Sequence, residues 1–484
     1  MGEGSAIKIG TKAFLFSALI ILLLMIASGV LTAVLPAGRY DRVTEGGRTL
    51  VVPGSYREIP RPSYPFWRWF TAPVEILFGP DNVTPVVLII FIFAVGGSIG
   101  ILERAGILQN LVNMLVRRFV RRKYLLIAAL VFFFMFVSAF VGIYEGMVPV
   151  IIFIIPIALS LGWDTLTGLG MSLLPLSFGF ASAVTNPFTI AVAQRIADLP
   201  IFSGSALRLV FFAVVYCLVT FFVIRHARKV EANPALSSCF REDEALRRRL
   251  REAPPLGGES GEDRRKWRGL VWFTCCIALA MLIVVGTARI PGLSNLAFPV
   301  MTLLFMAGGI GGGLAAGLGP GKTCAGFGRG AFNFIPGIAL VMMAYSVKHI
   351  ITTGMIMDTI LFGAAELIRR SPPLAAAFLM YAAALVMNFF IGSASAKAFL
   401  MMPLLTPLAD LVGITRQTAV LAFDFGDGFS NMIFPTNALL LIGLSFSSAG
   451  YTRWMAFTWK LQLVILALTS AFLAFAVQIG FGPF

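Results

Sequence analysis

Runs of about 18 or more mostly apolar residues recur along this chain, and each is long enough to cross the hydrocarbon core of a bilayer. The first extends from Ala13 to Leu35 and the second from Thr84 to Leu102. In lipid every backbone N–H and C=O must be satisfied within the segment, so runs of this length are helices. Of 484 residues, 58% are hydrophobic and 13% charged, where a soluble domain carries about a quarter charged residues. The expected class is an all-α polytopic membrane protein. The first run is too long for a signal-peptide core and lacks a small-residue cleavage pattern after it, so it is read as a retained first helix.

The net charge of +15 would suggest nucleic acid on a soluble chain. Here the Lys and Arg residues collect in loops, where they anchor topology. Lys8 and Lys12 precede the first run, which places the N-terminus in the cytoplasm and the Pro-rich segment 36–83 outside. The cluster "RRFVRRK" at 117–123 then falls inside. The longest polar segment, 225–268, is also expected inside, as solvated or headgroup-facing charge. Two spans, about 269–289 and 295–318, follow. The expected organisation is a first helix with an external loop (1–83), a first repeat (84–224), a basic loop with two linking helices (225–330) and a second repeat (331–484).

Several chemistries find little material. Cys217, Cys239, Cys275, Cys276 and Cys324 lack ligand spacing, and His226 and His349 are the two histidines. No metal or other cofactor is expected. The stretch "AAGLGPGKT" at 315–323 imitates a phosphate loop, but Ala316 stands where the motif needs its first glycine and no strand precedes it. It reads as a cytoplasmic turn, and no ATP-driven motor is implied.

An internal repeat is visible instead. A shift of 251 residues puts Pro156 on Pro407, Gly162 on Gly413, Thr167 on Thr418, Phe178 on Phe429, and Thr185-Asn186 on Thr436-Asn437. A shift of 248 puts Ser98 on Ser346 and Gly106 on Gly354. The loop charges orient the span at 84–102 inward and its counterpart at 331–349 outward, which makes the repeats inverted. Inverted repeats with broken helices are typical of secondary transporters, with the site near the midplane.

Four polar interruptions form two pairs. "VGIYEGMVP" (141–149) carries Glu145 between glycines, and "IGSASAKAF" (391–399) carries Lys397. Their apolar flanks look too short to cross twice, which suggests re-entrant hairpins. "SAVTNPFT" (182–189) and "FDFGDGFSNMIFPTN" (423–437) look like helices unwound in mid-span. Unwinding frees N–H and C=O groups that cost several kcal/mol each in hydrocarbon unless something fills them. An ionisable group inside a span is a functional candidate by default. Lys397 suits a substrate carboxylate. Glu145 is open between a cation, a proton and an ion-pair partner for Lys397. Asp427 is a candidate for cation or proton coupling, while Asp424 and Asp358 are open between coupling and the membrane interface.

The stretches 388–437 and 142–204 resemble the anaerobic four-carbon dicarboxylate carrier family (DcuC-like), in its YfcC branch, through "PLADLVGITRQ" and "GDGFSN" in particular. That family belongs to the ion-transporter superfamily. The resemblance implies an elevator-type homodimer in the inner membrane, with a scaffold and a moving transport domain. It implies hairpin tips at Gly142–Gly146 and Gly392–Lys397 and broken-helix sites at Thr185–Thr189 and Asp427–Asn437. The implied substrate-binding set is Gly142, Tyr144, Glu145, Thr185, Asn186, Thr189, Gly392, Ser393, Ser395, Lys397, Asn431, Thr436 and Asn437. The implied coupling-ion set, for Na⁺ or H⁺, is Glu145, Asn186, Asp427 and Asn437. This chain departs from the usual Ser-Gly-Ser-Gly-Lys tip at Ala394 and Ala396, and from the usual Pro-Thr-Ser at Asn437. Branch members are labelled dicarboxylate carriers or basic amino-acid antiporters. The expected function is ion-coupled secondary transport of a small carboxylate or amino acid. The alternatives are a cation/proton antiporter without organic substrate and an intramembrane lipid-modifying enzyme.

Overall fold

A computed structural model of the chain describes residues 11–45, 48–79, 82–108, 114, 119–144, 147, 150–252, 261–287 and 297–482. The chain opens with α1 (Thr11–Val34), and the segment after it holds no apolar span. It forms two antiparallel ribbons, β1 (Gly38–Arg39) with β4 (Arg57–Glu58) and β2 (Arg42–Glu45) with β3 (Arg48–Val51), then α2 (Arg68–Glu75). Next come α3 (Val83–Arg104), α4 (Lys123–Phe136), α5 (Ile151–Ser160), α6 (Thr165–Gly170), α7 (Leu173–Ser182), α8 (Ile190–Ile196) and α9 (Ser205–Ala232). The polar segment holds α10 (Phe240–Glu252), and α11 (Gly261–Thr287), α12 (Ala297–Ala315) and α13 (Pro320–Asn333) follow. The last part is α14 (Ile335–Thr353), α15 (Met357–Arg369), α16 (Pro373–Phe390), α17 (Ala394–Val412), α18 (Arg416–Gly428), α19 (Ala438–Ser445) and α20 (Tyr451–Gln478).

Among the described residues, 10 helical stretches are long and apolar enough to cross a membrane. The chain is a multi-pass membrane protein. The stretch Thr165–Ser182 is wholly buried inside the protein, whereas Ser205–Ala232 is 33% buried and turns most of its surface outward. The flanks of the second predicted hairpin, Pro373–Phe390 and Ala394–Val412, are 18 and 19 residues long and suffice by length to cross. The expectation that they are too short therefore fails on length.

Helices α3, α11, α12 and α13 pack as one group through small residues, as lipid-embedded helices do. A Cβ at Gly100 would lie 2.4 Å from the Gly326 carbonyl oxygen, and one at Gly309 would lie 2.5 Å from the Ser98 Cβ. The phosphate-loop imitation is a turn, as expected. Gly317 is left-handed at φ +91°, and Pro320 opens α13 at its first position. Asp358, near the start of α15, accepts from the Tyr40 N–H at 2.9 Å and from Arg42 at 2.9 Å, so it anchors the ribbons.

The polar segment is less solvated than its charge suggests. Glu231 at the end of α9 pairs with Lys123, and the Tyr124 hydroxyl donates to it at 2.8 Å. Asp243 on α10 accepts from the Thr165 N–H at 2.9 Å and from Ser448 at 2.7 Å. Asp164 accepts from Ser237 at 2.7 Å and meets His226 Nε2 at 3.0 Å. Burial alone would raise the Asp164 carboxyl, but the His226 hydrogen bond and charge, with Thr167 and Ser237, hold it down at about 2. A depressed carboxyl stabilises the fold above its ordinary value of 3.8 and loses that contribution as pH falls towards about 2. The stability gap between wild type and Asp164→Asn is therefore expected to shrink through that window, read as thermal midpoints in detergent. A gap that stays constant with pH would contradict this.

Positions 251 apart behave alike. Gly162 and Gly413 are both left-handed, at φ +91° and +77°. Asp164 then accepts from the Thr167 N–H at 2.8 Å, and Thr415 accepts from the Thr418 N–H at 3.2 Å. Asp164 is the N-cap of α6, which precedes α7 and the first break, and Thr415 is the N-cap of α18, which precedes the second.

Candidate functional site

The first break lies between α7 and α8. Ala183 has φ 26°, outside the helical region, and Pro187 removes a backbone donor. The Thr185 hydroxyl donates to the Phe140 carbonyl at 2.9 Å. Asn186 Oδ1 accepts from the N–H groups of Phe188 and Thr189 at 2.8 and 3.3 Å, and its Nδ2 donates to the Ser138 carbonyl at 3.2 Å. One side chain thus satisfies two amides in the turn before α8 and holds the end of the preceding arm.

The second break has the same chemistry. The Thr436 hydroxyl donates to the Phe389 carbonyl at 2.6 Å. Asn437 Oδ1 accepts from the N–H groups of Leu439 and Leu440 at 3.0 and 3.2 Å. In both places a Thr ties the break to the last turn before a predicted tip, and an Asn accepts from two amides just beyond itself, in the turn before α8 at the first break and as the N-cap of α19 at the second. The unwound stretch is shorter than the sequence suggested. Residues through Gly428 are α-helical and Phe429–Met432 form a 3-10 turn, so only 433–437 leave the helix. Asp427 therefore sits on a helix and not in an unwound segment. Its neighbours Gly426 and Gly428 reflect crowding: a Cβ at Gly426 would lie 2.4 Å from the Ala384 Cβ.

A buried network joins the second-half candidates. Lys397 forms an ion pair with Asp427 and donates to Asn388 Oδ1. Asn388 Nδ2 lies 3.0 Å from the Asp427 carbonyl, 2.6 Å from Ser430 Oγ and 3.0 Å from Asn431 Oδ1, three acceptors for two hydrogens. Asn437 Nδ2 donates to Asn431 Oδ1 at 2.8 Å. Lys397 is 0% and Asp427 1% exposed, so each answers the other's charge where water cannot.

Two of the contacts between the halves bear directly on the breaks. The Ser395 hydroxyl, in the first turn of α17, donates to the Phe188 carbonyl in the first break at 2.7 Å. The Ser177 hydroxyl donates to the Gly428 carbonyl at 2.8 Å, where α7 crosses α18. A Cβ at Gly428 would lie 2.1 Å from the Ala181 Cα, a backbone atom that cannot step aside. Gly428→Ala is expected to cost about 1–3 kcal/mol through forced separation of the helices, whereas Gly363→Ala on α15 meets nothing within 4 Å and is expected to be near neutral. Thermal midpoints in detergent decide this, and equal melting of the two variants would contradict the crossing.

The tips differ in what is visible. Gly142 is left-handed at φ +77°, and a Cβ there would lie 2.4 Å from Asn186 Oδ1, so the first tip is pressed against the first break. Tyr144 is buried and its ring lies 5.2 Å from that of Phe180. Glu145 and Gly146 lie outside the described residues. At the second tip Gly392, Ser393 and Ala396 are exposed, and Ser393 Oγ caps α17.

A family model, "C4-dicarboxylate anaerobic carrier" (DcuC), matches residues 15–478. The chain belongs to that family. A relative from Escherichia coli K12, named "Putative basic amino acid antiporter YfcC", is 30% identical over 491 residues and covers 96% of each chain. A Haemophilus influenzae protein without an assigned function is 25% identical, over 91% of this chain and 84% of its own. Among solved structures, the Alcanivorax borkumensis YdaH transporter aligns with a TM-score of 0.40 at 19% identity, covering 97% of this chain and all of the other (100%). The Neisseria gonorrhoeae MtrF efflux pump aligns at 0.42 and 17% identity, over 96% and 94%.

Two residues of this DcuC-family chain went unnoticed as site members in its sequence. Asn388 is the hub between Lys397, Asp427 and Asn431, and its one signal is a lone amide in "AALVMNFFIG". Arg208 reads like a loop anchor just before an apolar run, yet it is 0% exposed.

Proposed function

We propose that this protein is an ion-coupled secondary transporter of a small carboxylate or amino acid in the cytoplasmic membrane, built from two inverted repeats and working as an elevator-type homodimer. The observation that carries the reading is the doubled Thr-Asn break. Two helices stop in mid-course, each is followed by an Asn that takes two backbone amides, and each is tied by a Thr to the arm before a tip. A packing accident has no reason to recur with the same bonds 251 residues later. Family membership and the name of the E. coli relative favour carboxylate-bearing substrates, dicarboxylates or basic amino acids.

Binding follows from the same geometry. A substrate carboxylate approaching the exposed Gly392–Ser393 tip meets the N-terminus of α17 and, beneath it, the Lys397–Asp427 pair. Lys397 is released to the carboxylate only as Asp427 finds another partner, a proton or a cation. That exchange of partners links substrate binding to ion binding. The group of α3 and α11–α13 fits the role of scaffold, and the bodies carrying the two breaks fit the moving part. The reading assigns the protein no catalytic chemistry.

Uptake into proteoliposomes tests this, with succinate, fumarate, L-arginine and L-ornithine, under imposed Na⁺ and pH gradients. Gradient-dependent flux of at least one is expected. No flux, together with no ligand-induced thermal shift for any of them, would end the organic-substrate reading.

A further inference from the structure

A second buried ionisable group lies beside the Lys397 network and takes no part in it. Asp424 sits on α18, three residues before Asp427, and is 1% exposed. Its carboxyl lies within electrostatic reach of the Arg208 guanidinium from α9 and of Asp427, and the Thr189 hydroxyl at the end of the first break adjoins it. Arg208 uses Nε and Nη2 on the Ala183 and Val184 carbonyls, at 3.2 and 3.3 Å, the groups that the end of α7 leaves free. Its Nη1 has no hydrogen-bond partner, and neither Thr189 Oγ1 nor the Asp424 carboxyl makes a bond of ordinary length, the Thr189 hydroxyl approaching that carboxyl only at longer range. Both Arg208 and Thr189 are 0% exposed.

Four polar atoms so weakly satisfied and so deeply buried favour an occupant, because each costs about 1–3 kcal/mol if left so. The local charge limits what that occupant is. A metal cation is repelled by Arg208, and an anion is repelled by Asp424. A proton suits the place: a neutral carboxyl needs no counter-ion, and its O–H can donate to Thr189 Oγ1. The ionised carboxylate, in turn, can close on the free Nη1 of Arg208. The other elements packed on α18 leave this choice to Arg208. Lys397 of α17 is taken by Asp427, Tyr381 of α16 by Thr469, and Arg453 of α20 by Glu242, while Arg195 of α8 is exposed and α7 carries no ionisable side chain.

We propose that Asp424 is a proton-carrying site, alternating between a neutral carboxyl beside Thr189 and a carboxylate paired with Arg208. The proton is taken from water on one side of the membrane and returned to water on the other, with no other bond made or broken. Because Arg208 also holds the Ala183 and Val184 carbonyls, each change of charge at Asp424 pulls on or releases the first break. The coupling role rests on the transporter reading above, whereas proton binding itself does not.

The test is infrared difference spectroscopy of the full-length protein in lipid nanodiscs on stepping the pH. Wild type is expected to lose a buried carboxylic-acid C=O band as pH rises, Asp424→Asn to lack that band, and Asp424→Glu to show it displaced. A band shared unchanged by wild type and Asp424→Asn, or no titrating band in wild type, would overturn the proposal. If Asp424→Asn does not fold, Asp424→Asn/Arg208→Gln removes both charges and is read in the same way. In proteoliposomes, Asp424→Asn is expected to lose pH-gradient-driven accumulation of succinate and L-arginine, and wild-type accumulation would overturn the coupling role. A band assigned to Asp424 in a protein that moves neither probe would support the proton site and count against the transport reading.

Discussion

Lys397→Met is expected to destabilise the protein by about 3–5 kcal/mol, because it strands the Asp427 carboxylate without a counter-charge. The site offers no escape to water, since both side chains are essentially unexposed. Asn388 cannot compensate: its Nδ2 already faces three acceptors, and its Oδ1 loses the ammonium it accepts from. Removing both charges is a different matter. Lys397→Met/Asp427→Leu is expected to recover most of the loss, because an apolar pair of similar volume pays no desolvation. Unfolding in detergent, followed by tryptophan fluorescence, separates these cases. A single variant that melts like wild type would mean that the pair is not formed. Transport is expected to fail in both, since the double variant restores packing but no longer holds a cation for the carboxylate.

Asn186→Ala and Asn437→Ala are expected to abolish transport while the protein still inserts and folds. Asn437→Ala uncaps α19, at about 1 kcal/mol, and each deletion leaves two amides without their acceptor. A fold of this size absorbs that, but the break itself then has no fixed geometry to offer a substrate. Asn→Asp sharpens the test at both positions. It keeps the acceptor oxygen, loses the Nδ2 donor to Ser138 or Asn431, and adds a charge. Recovery of transport by Asp would assign the function to the cap alone, and continued loss would assign it to the donor as well. Wild-type uptake rates in both alanine variants would refute the paired-site model.

The parts of this protein visible in its sequence are those written locally. A Thr-Asn beside a proline in apolar surroundings announces a break, because few other reasons place those residues there. The turn at 315–323 was readable for the same reason, through Gly317 and Pro320. What stayed hidden depends on which faces meet. Asn388 and Arg208 are single polar residues whose partners lie on other helices, and no periodicity marks them. Asp427 looked unwound because Gly426 and Gly428 flank it, yet those glycines serve close helix crossings and the helix runs on. The polar segment after α9 looked solvated by charge count. Its burial depends on Asp164 and Asp243, which sequence alone does not pair with His226 and Ser448.

The contact between Ser177 and Gly428 has an evolutionary meaning. The two positions are 251 residues apart, the same interval that relates the caps and the breaks, so each touches its own counterpart. If one ancestral segment was copied to make both halves, this is where the copies cross, and a single ancestral residue there met itself. The crossing itself is not symmetric: Ser177 brings a hydroxyl, Gly428 offers its carbonyl, and the missing Cβ leaves room for the Ala181 backbone. On that history the two halves are not interchangeable at this crossing.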